Sequence, residues 1–163
     1  MYAFIITRQA GQTASTYNFL SLFNPSGSGK ILSTQHAQMA NYAVAQASVA
    51  TPFLLSRTTA ASGGTLESSS SICKFRTPDP NTVGQVRTGN PTVTLGASLW
   101  NFTPPFQLST PGALSAVVQD VSFPAYWDRI ALAPGEGLVF HQTDVGDSDQ
   151  RLNLIIAWSE TLV

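Results

Sequence analysis

Residues 151–160 alternate without a break. Leu152, Leu154, Ile156 and Trp158 fall on one side, and Asn153, Ile155, Ala157 and Ser159 on the other. A period of two residues is the geometry of a β-strand with one buried face, and a helix does not satisfy it. The rest of the chain is cut to the same scale: ten prolines and twelve glycines fall between short apolar runs, and none of those runs carries a clean helical stripe. Further strands are expected over 17–23, 30–36, 52–57, 72–76, 92–95, 116–123, 127–132 and 138–142. Segment 37–50 is alanine-rich, which favours helix, but its flanks are strand-like and it reads as extended. Segment 99–110, interrupted by Pro104-Pro105, reads as irregular. Many short strands at this spacing define an all-β class. The architecture expected is a single-domain antiparallel β-sandwich, jelly-roll-like, with an extended N-terminal arm.

The start of the chain has two readings. Met1-Tyr2-Ala3-Phe4-Ile5-Ile6-Thr7-Arg8 lacks a basic leader and a small-residue cleavage site, so it is not a secretory signal. Residues 1–16 are either an arm that docks on a neighbour or the first strand, and 17–163 form the sandwich. If 1–8 are an arm, their removal leaves the fold soluble and abolishes docking. No apolar run approaches the ~18 residues of a membrane span, so synthesis in a cytoplasm and no membrane partner are expected.

Polarity comes from hydroxyls and amides. The chain holds 18 Ser and 17 Thr, while charged residues are 10% and the net charge is −1; about 25% charged is usual. A binder of nucleic acid by phosphate neutralisation would need a basic face, and a disordered tail would need more charge and fewer apolar residues. A surface this neutral repels identical copies weakly, which suits either a neutral monomer or a subunit packed against copies or a lattice.

The chemical motifs mostly fail. Gly27-Ser28-Gly29-Lys30 resembles a phosphate loop, but Asn24 stands where its first glycine belongs and Ile31 where its Ser or Thr belongs, so it reads as a hairpin turn. Nucleophilic catalysis has only His36 and His141 to draw on, and His141 sits mid-strand. Asp144, Asp147 and Asp149 with Gly146 form the one carboxylate cluster. They are weak calcium-ligand candidates against the simpler reading of a solvated loop. Cys73, the single cysteine, shares a strand face with Phe75 and reads as a small buried hydrophobe. Trp100, Phe102 and Phe106 flank the prolines and are either core or an exposed interface patch. No cofactor and no catalytic residue is expected.

Five segments, in order, resemble a group of tailed-bacteriophage virion proteins. They are Phe23-Asn24-Pro25-Ser26-Gly27-Ser28-Gly29-Lys30, Arg57-Thr58-Thr59-Ala60-Ala61-Ser62-Gly63-Gly64-Thr65, Gln85-Val86-Arg87-Thr88, Ala133-Pro134-Gly135-Glu136-Gly137-Leu138 and Ala157-Trp158-Ser159-Glu160. The motifs are turn chemistry, and their order carries the resemblance. It implies a non-enzymatic β-sandwich subunit of a virion, similar to head decoration (cement) proteins that bind the major capsid protein lattice. A homo-oligomer follows, with a trimer favoured by the threefold seats of a capsid. Tyr2, Phe4, Ile5, Ile6, Trp100, Phe102 and Phe106 are the candidate interface residues. A tail fibre, baseplate or receptor-binding module is the alternative. A stand-alone sugar-binding jelly-roll or hydrolase, with His141 and an acid in a concave pocket, is a third.

Overall fold

The structure is a computed structural model that describes residues 1–10, 12–43, 52–102, 116–122, 129–146 and 150–163. In chain order the strands are β1 (Tyr2–Ala10), β2 (Tyr17–Phe23), β3 (Lys30–Ala43), β4 (Phe53–Ser62), β5 (Thr65–Leu66), β6 (Cys73–Lys74), β7 (Gln85–Thr88), β8 (Thr92–Phe102), β9 (Ala116–Ser122), β10 (Ile130–Leu132), β11 (Gly137–Gln142) and β12 (Gln150–Leu162). The described residues contain no helix. All the pairings are antiparallel, and the strands form two sheets packed face to face as a β-sandwich.

The first sheet runs β10-β3-β12-β1-β6, with β9 on the same edge of β3 as β10. Its centre is the alternating strand β12, whose Leu152, Leu154, Ile156 and Trp158 are all buried in the core. Burying side chains of this size contributes roughly 1.5–3 kcal/mol each. The second sheet runs β5-β7-β2-β11-β4-β8 and supplies Phe19, Leu22, Leu55, Leu138 and Phe140 from the other side.

Of the two readings of the N-terminus, the chain takes the first strand. β1 pairs with β12 from Tyr2↔Trp158 to Ala10↔Arg151, and with β6 at Tyr2↔Lys74 and Ala3↔Cys73. Tyr2 and Phe4 lie in the core, with Tyr2 and Trp158 ring centroids 5.9 Å apart. The extended arm is therefore corrected: an alternating apolar run next to an open strand edge gains more by pairing within its own sheet.

Other strand assignments also change. β8 continues through Leu99 to Phe102, because bulges at three points let the ladder absorb extra residues. Segment 72–76 shrinks to the two residues of β6, and its faces are reversed: Ile72 is buried, while Cys73 and Phe75 are exposed. Cys73 opposes Ala3 on the outward side of the sheet, so it is not a core residue. Segment 127–132 is described only from residue 129, where β10 begins at Ile130. The extended reading of 37–50 holds as far as Ala43, where the described part of that segment ends.

The second sheet curls over itself. β4 and β8 pair with each other, and so do β5 and β7, yet β4 and β7 flank β11 and β2 on opposite sides. The two-stranded ribbon formed by 59–66 and 87–95 must therefore cross over the outward face of β2 and β11. Its corner is set by Gly63 and Gly64, both at positive φ, opposite Gly89 and Asn90. A side chain at Gly64 would collide with the backbone of Thr88 and Pro91. Asn18 ties the corner down by donating its backbone N–H to Asn90 Oδ1 (3.0 Å) and its amide to the Pro91 carbonyl (2.9 Å). Under this arch, Ser21, Val139, Ser56 and Thr58 are buried although they point away from the main core. That is why every residue of β11 is buried on both faces.

Candidate functional site

Among the candidate interface residues, the structure separates core from surface. Tyr2 and Phe4 are buried, and Tyr2 donates its hydroxyl to the Pro80 carbonyl at 3.0 Å. Ile6 is half-buried against the core. Ile5, one register position out, is 49% exposed on the outward face of the first sheet. Trp100 is 46% exposed on edge strand β8, and Leu95 and Leu99 of the same strand are exposed too. Phe106, Asp147, Asp149 and the side chain of Phe102 lie outside the described residues. Among the described candidates, Ile5 and Trp100 thus belong to different sheets.

β8 merits a closer look, because edge strands carry unpaired backbone groups. Its eleven residues, TVTLGASLWNF, include no charge and no proline. What protects it is irregularity: register shifts fall between Leu55 and Ser56, Ser56 and Thr58, and Thr58 and Ala60 of its partner β4.

His141 sits where β11, β4 and β8 run side by side. Its Nε2 lies 2.8 Å from Ser56 Oγ, which lies 3.2 Å from Ser98 Oγ. Burial holds the imidazole below its ordinary value of 6.5, opposed in part by a hydrogen bond to the backbone of Gln142. A neutral ring with its other nitrogen on that backbone leaves Nε2 to accept from Ser56. Among the described residues, no carboxylate is hydrogen-bonded to this serine–histidine pair. Ser56 is 1% exposed, so no substrate reaches it. The pair instead pins three adjacent strands at the bulged edge. The sequence places His141 mid-strand but does not point to Ser56, because the two are 85 residues apart.

A second polar cluster sits at the far end of β12. Glu160 keeps the inward parity of Trp158, and its side chain is 4% exposed. It takes a 2.8 Å ion pair from Lys30, a hydrogen bond from the Thr82 hydroxyl, and the Val83 amide at 2.9 Å. Trp158 Nε1 donates to the same Thr82 hydroxyl at 3.2 Å. Burial alone pushes the Glu160 carboxyl up, but the hydrogen bonds from Lys30, Thr82 and Val83 together outweigh it and hold it below its ordinary value. Lys30, the lysine of the phosphate-loop look-alike, is therefore taken up by Glu160, and its own value is raised by that hydrogen bond. The signal was present in the sequence: an acid one step beyond Trp158 on the buried parity.

Two of the turn motifs, 23–30 and 133–138, meet in space. Asn24 donates its side-chain amide to the carbonyls of Lys30 (2.8 Å) and Leu132 (2.9 Å), and its carbonyl accepts from Gly135 N (2.7 Å). Glu136 accepts from Ala133 N at 2.9 Å and faces Arg57 at 3.5 Å. Segments 23–30 and 133–138, with Arg57 beside them, thus form one end of the sandwich. At the opposite end, Asp144 turns back on its own loop, with Oδ1 accepting from Val145 N at 2.7 Å. Among the described residues no group of three or more His, Cys, Asp and Glu converges as a metal site, and no helix is long and apolar enough to cross a membrane.

Comparison with known proteins yields no match: no family model, no curated protein and no solved structure matches this chain.

Proposed function

We propose that this chain is a non-enzymatic structural subunit of a bacteriophage particle, a head decoration protein that binds the outer capsid lattice and stabilises it as a homo-oligomer. The observation that carries the reading is the distribution of polarity. The outward positions of the first sheet are mostly amides, hydroxyls and aliphatics, with His36 and Cys73 among them, and edge strand β8 adds exposed Leu95, Leu99 and Trp100 with no charge along its length. Such surfaces adhere by shape and apolar area and have few charges to desolvate. The resemblance of the ordered turn motifs to virion proteins agrees with it, and two of those segments, 23–30 and 133–138, meet at one end of the sandwich. The protein would be made in the host cytoplasm and end up on the particle.

The test is to image particles of the phage that encodes the chain by cryo-electron microscopy. Density for this sandwich at regular positions on the head is the expected result. Density confined to the tail would support the fibre or baseplate alternative, which the exposed Trp100 on β8 also suits. Absence from the particle would overturn both.

A further inference from the structure

We propose that the outward face of the first sheet is a two-fold self-association surface, covered by the same face of a second copy of this chain. The inference deepens the proposed function by naming a partner and a face, and it rests on that reading only for its biological setting. Along β12 the outward positions 153, 155, 157, 159 and 161 carry no charge. The outward positions of β3 from Ile31 to Ala40 hold no Asp, Glu, Lys or Arg, their one titratable group being His36 opposite Ala157, and Ala3 and Ile5 of β1 are apolar. Arg151 lies at the end of this field, and the register places Asp120 of edge strand β9 at its rim.

An exposed sheet face ordinarily alternates to charged and polar residues. A field of neutral residues is what a two-fold contact requires, because residues near the axis meet their own copies and any charge there would face its like. Ile5 and Ile155 are direct register partners, and Gln38 pairs with Ile155 on the next strand. They give an apolar centre flanked by an amide able both to donate and to accept, as a self-complementary patch must. The size also fits. Four strand positions spaced about 4.8 Å and roughly nine residues of about 3.4 Å give a face near 600 Å² in projection. A pleated surface exposes more than its projection, and a stable interface needs about 800 Å² per partner. Edge strand β8 is the competing surface, but its repeated bulges spoil the regular ladder that strand addition needs. The symmetry inferred is two-fold, which differs from the threefold expected of a capsid seat.

The experiment is light scattering and sedimentation of the purified full chain at about 50 µM, above the dissociation constant an interface of this area ordinarily reaches. A dimer is expected. Ile5→Arg, at an exposed position, should weaken it at least tenfold with the thermal midpoint of the monomer unchanged. Gln38→Glu, a milder change, should weaken it in a salt-dependent way. A monomeric wild type, a trimer, or a dimer broken by Leu95→Arg but not by Ile5→Arg overturns the inference. A wild-type monomer that still decorates particles defeats this inference, and with it the homo-oligomer, but leaves the decoration role standing. A dimer broken by Ile5→Arg, from a protein absent from particles, upholds it and defeats the proposed function instead.

Discussion

The two sheets solve the same problem in opposite ways. Each must bury polar groups close to its strands. The first sheet buries a charge: Glu160 sits at 4% exposure, balanced by Lys30, the Thr82 hydroxyl and the Val83 amide. The second buries a neutral pair, His141 and Ser56, whose hydrogen bonds run out to the exposed Ser98 hydroxyl, with no carboxylate among their described partners. The difference lies in the partners each place supplies. Beside β12, the loop at 82–84 offers free amides and Lys30 offers a cation, so an ionised group is held. Beneath the arch of the second sheet the neighbours are hydroxyls and backbone, so the titratable group stays uncharged.

The largest expected effect tests the first sheet as a whole. Deleting residues 1–8 removes most of β1, which pairs on both sides and places Tyr2 and Phe4 in the core. Each of those side chains is worth roughly 1.5–3 kcal/mol, against a total stability of about 5–15 kcal/mol for a domain. The truncated chain should be insoluble or lack a cooperative unfolding transition by circular dichroism; a soluble, cooperatively melting product would restore the arm reading. Next, Glu160→Ala strands the Lys30 ammonium, the Thr82 hydroxyl and the Val83 amide and should cost about 3–5 kcal/mol by urea titration. A loss below about 1 kcal/mol would mean that the charged clip is no more than a surface ion pair.

In the second sheet, Ser56→Ala leaves the buried Nε2 of His141 unpaired and should cost about 1–3 kcal/mol. An equal cost for Ser56→Ala in a His141→Phe background would show that the two side chains do not couple. The smallest effect separates the clusters by pH. Both His141 and Glu160 have folded values below their ordinary ones, so each contributes stability that is present above its unfolded value and lost as pH falls. Stability should therefore begin to decline below about pH 6.5, where unfolded histidine titrates, and decline again below about pH 4.5, where unfolded glutamate does. His141→Gln should remove the first step alone. On the alkaline side Lys30, raised by its bond to Glu160, and Tyr2, raised chiefly by burial, hold stability that is lost as pH rises past about 10. A stability profile flat from pH 7 down to 5 in the wild type would remove the buried neutral histidine from the account.

What could be read in the sequence was whatever a local period encodes. β12 was legible residue by residue because one strand sees one face of one core. β11 was legible as a strand, but burial of Val139 and His141 was not, because the ribbon above them comes from segments far away in the chain. The corner at Gly63-Gly64 was visible as a turn, while its consequence, the folding-over of the sheet, depends on pairings of β5 with β7 and β7 with β2. The reversed faces of 72–76 have a similar cause. An alternating five-residue run has two equivalent registers, and only its pairing with β1 chooses between them. For the candidate sites, Ile5 and Trp100 could be named as apolar and near breakers. Their placement on different sheets could not.

The position of β12 also orders events in time. β1 and β3 each wait for it, with Ile5 finding Ile155 only after the ribosome has moved 150 residues along the chain. Until then the nascent chain carries two hydrogen-bonding edges with nothing between them, in a protein with little charge to keep such edges apart. A growing chain of this kind needs shielding during synthesis, and crowded translation on one messenger is where it would most readily pair with the wrong sister.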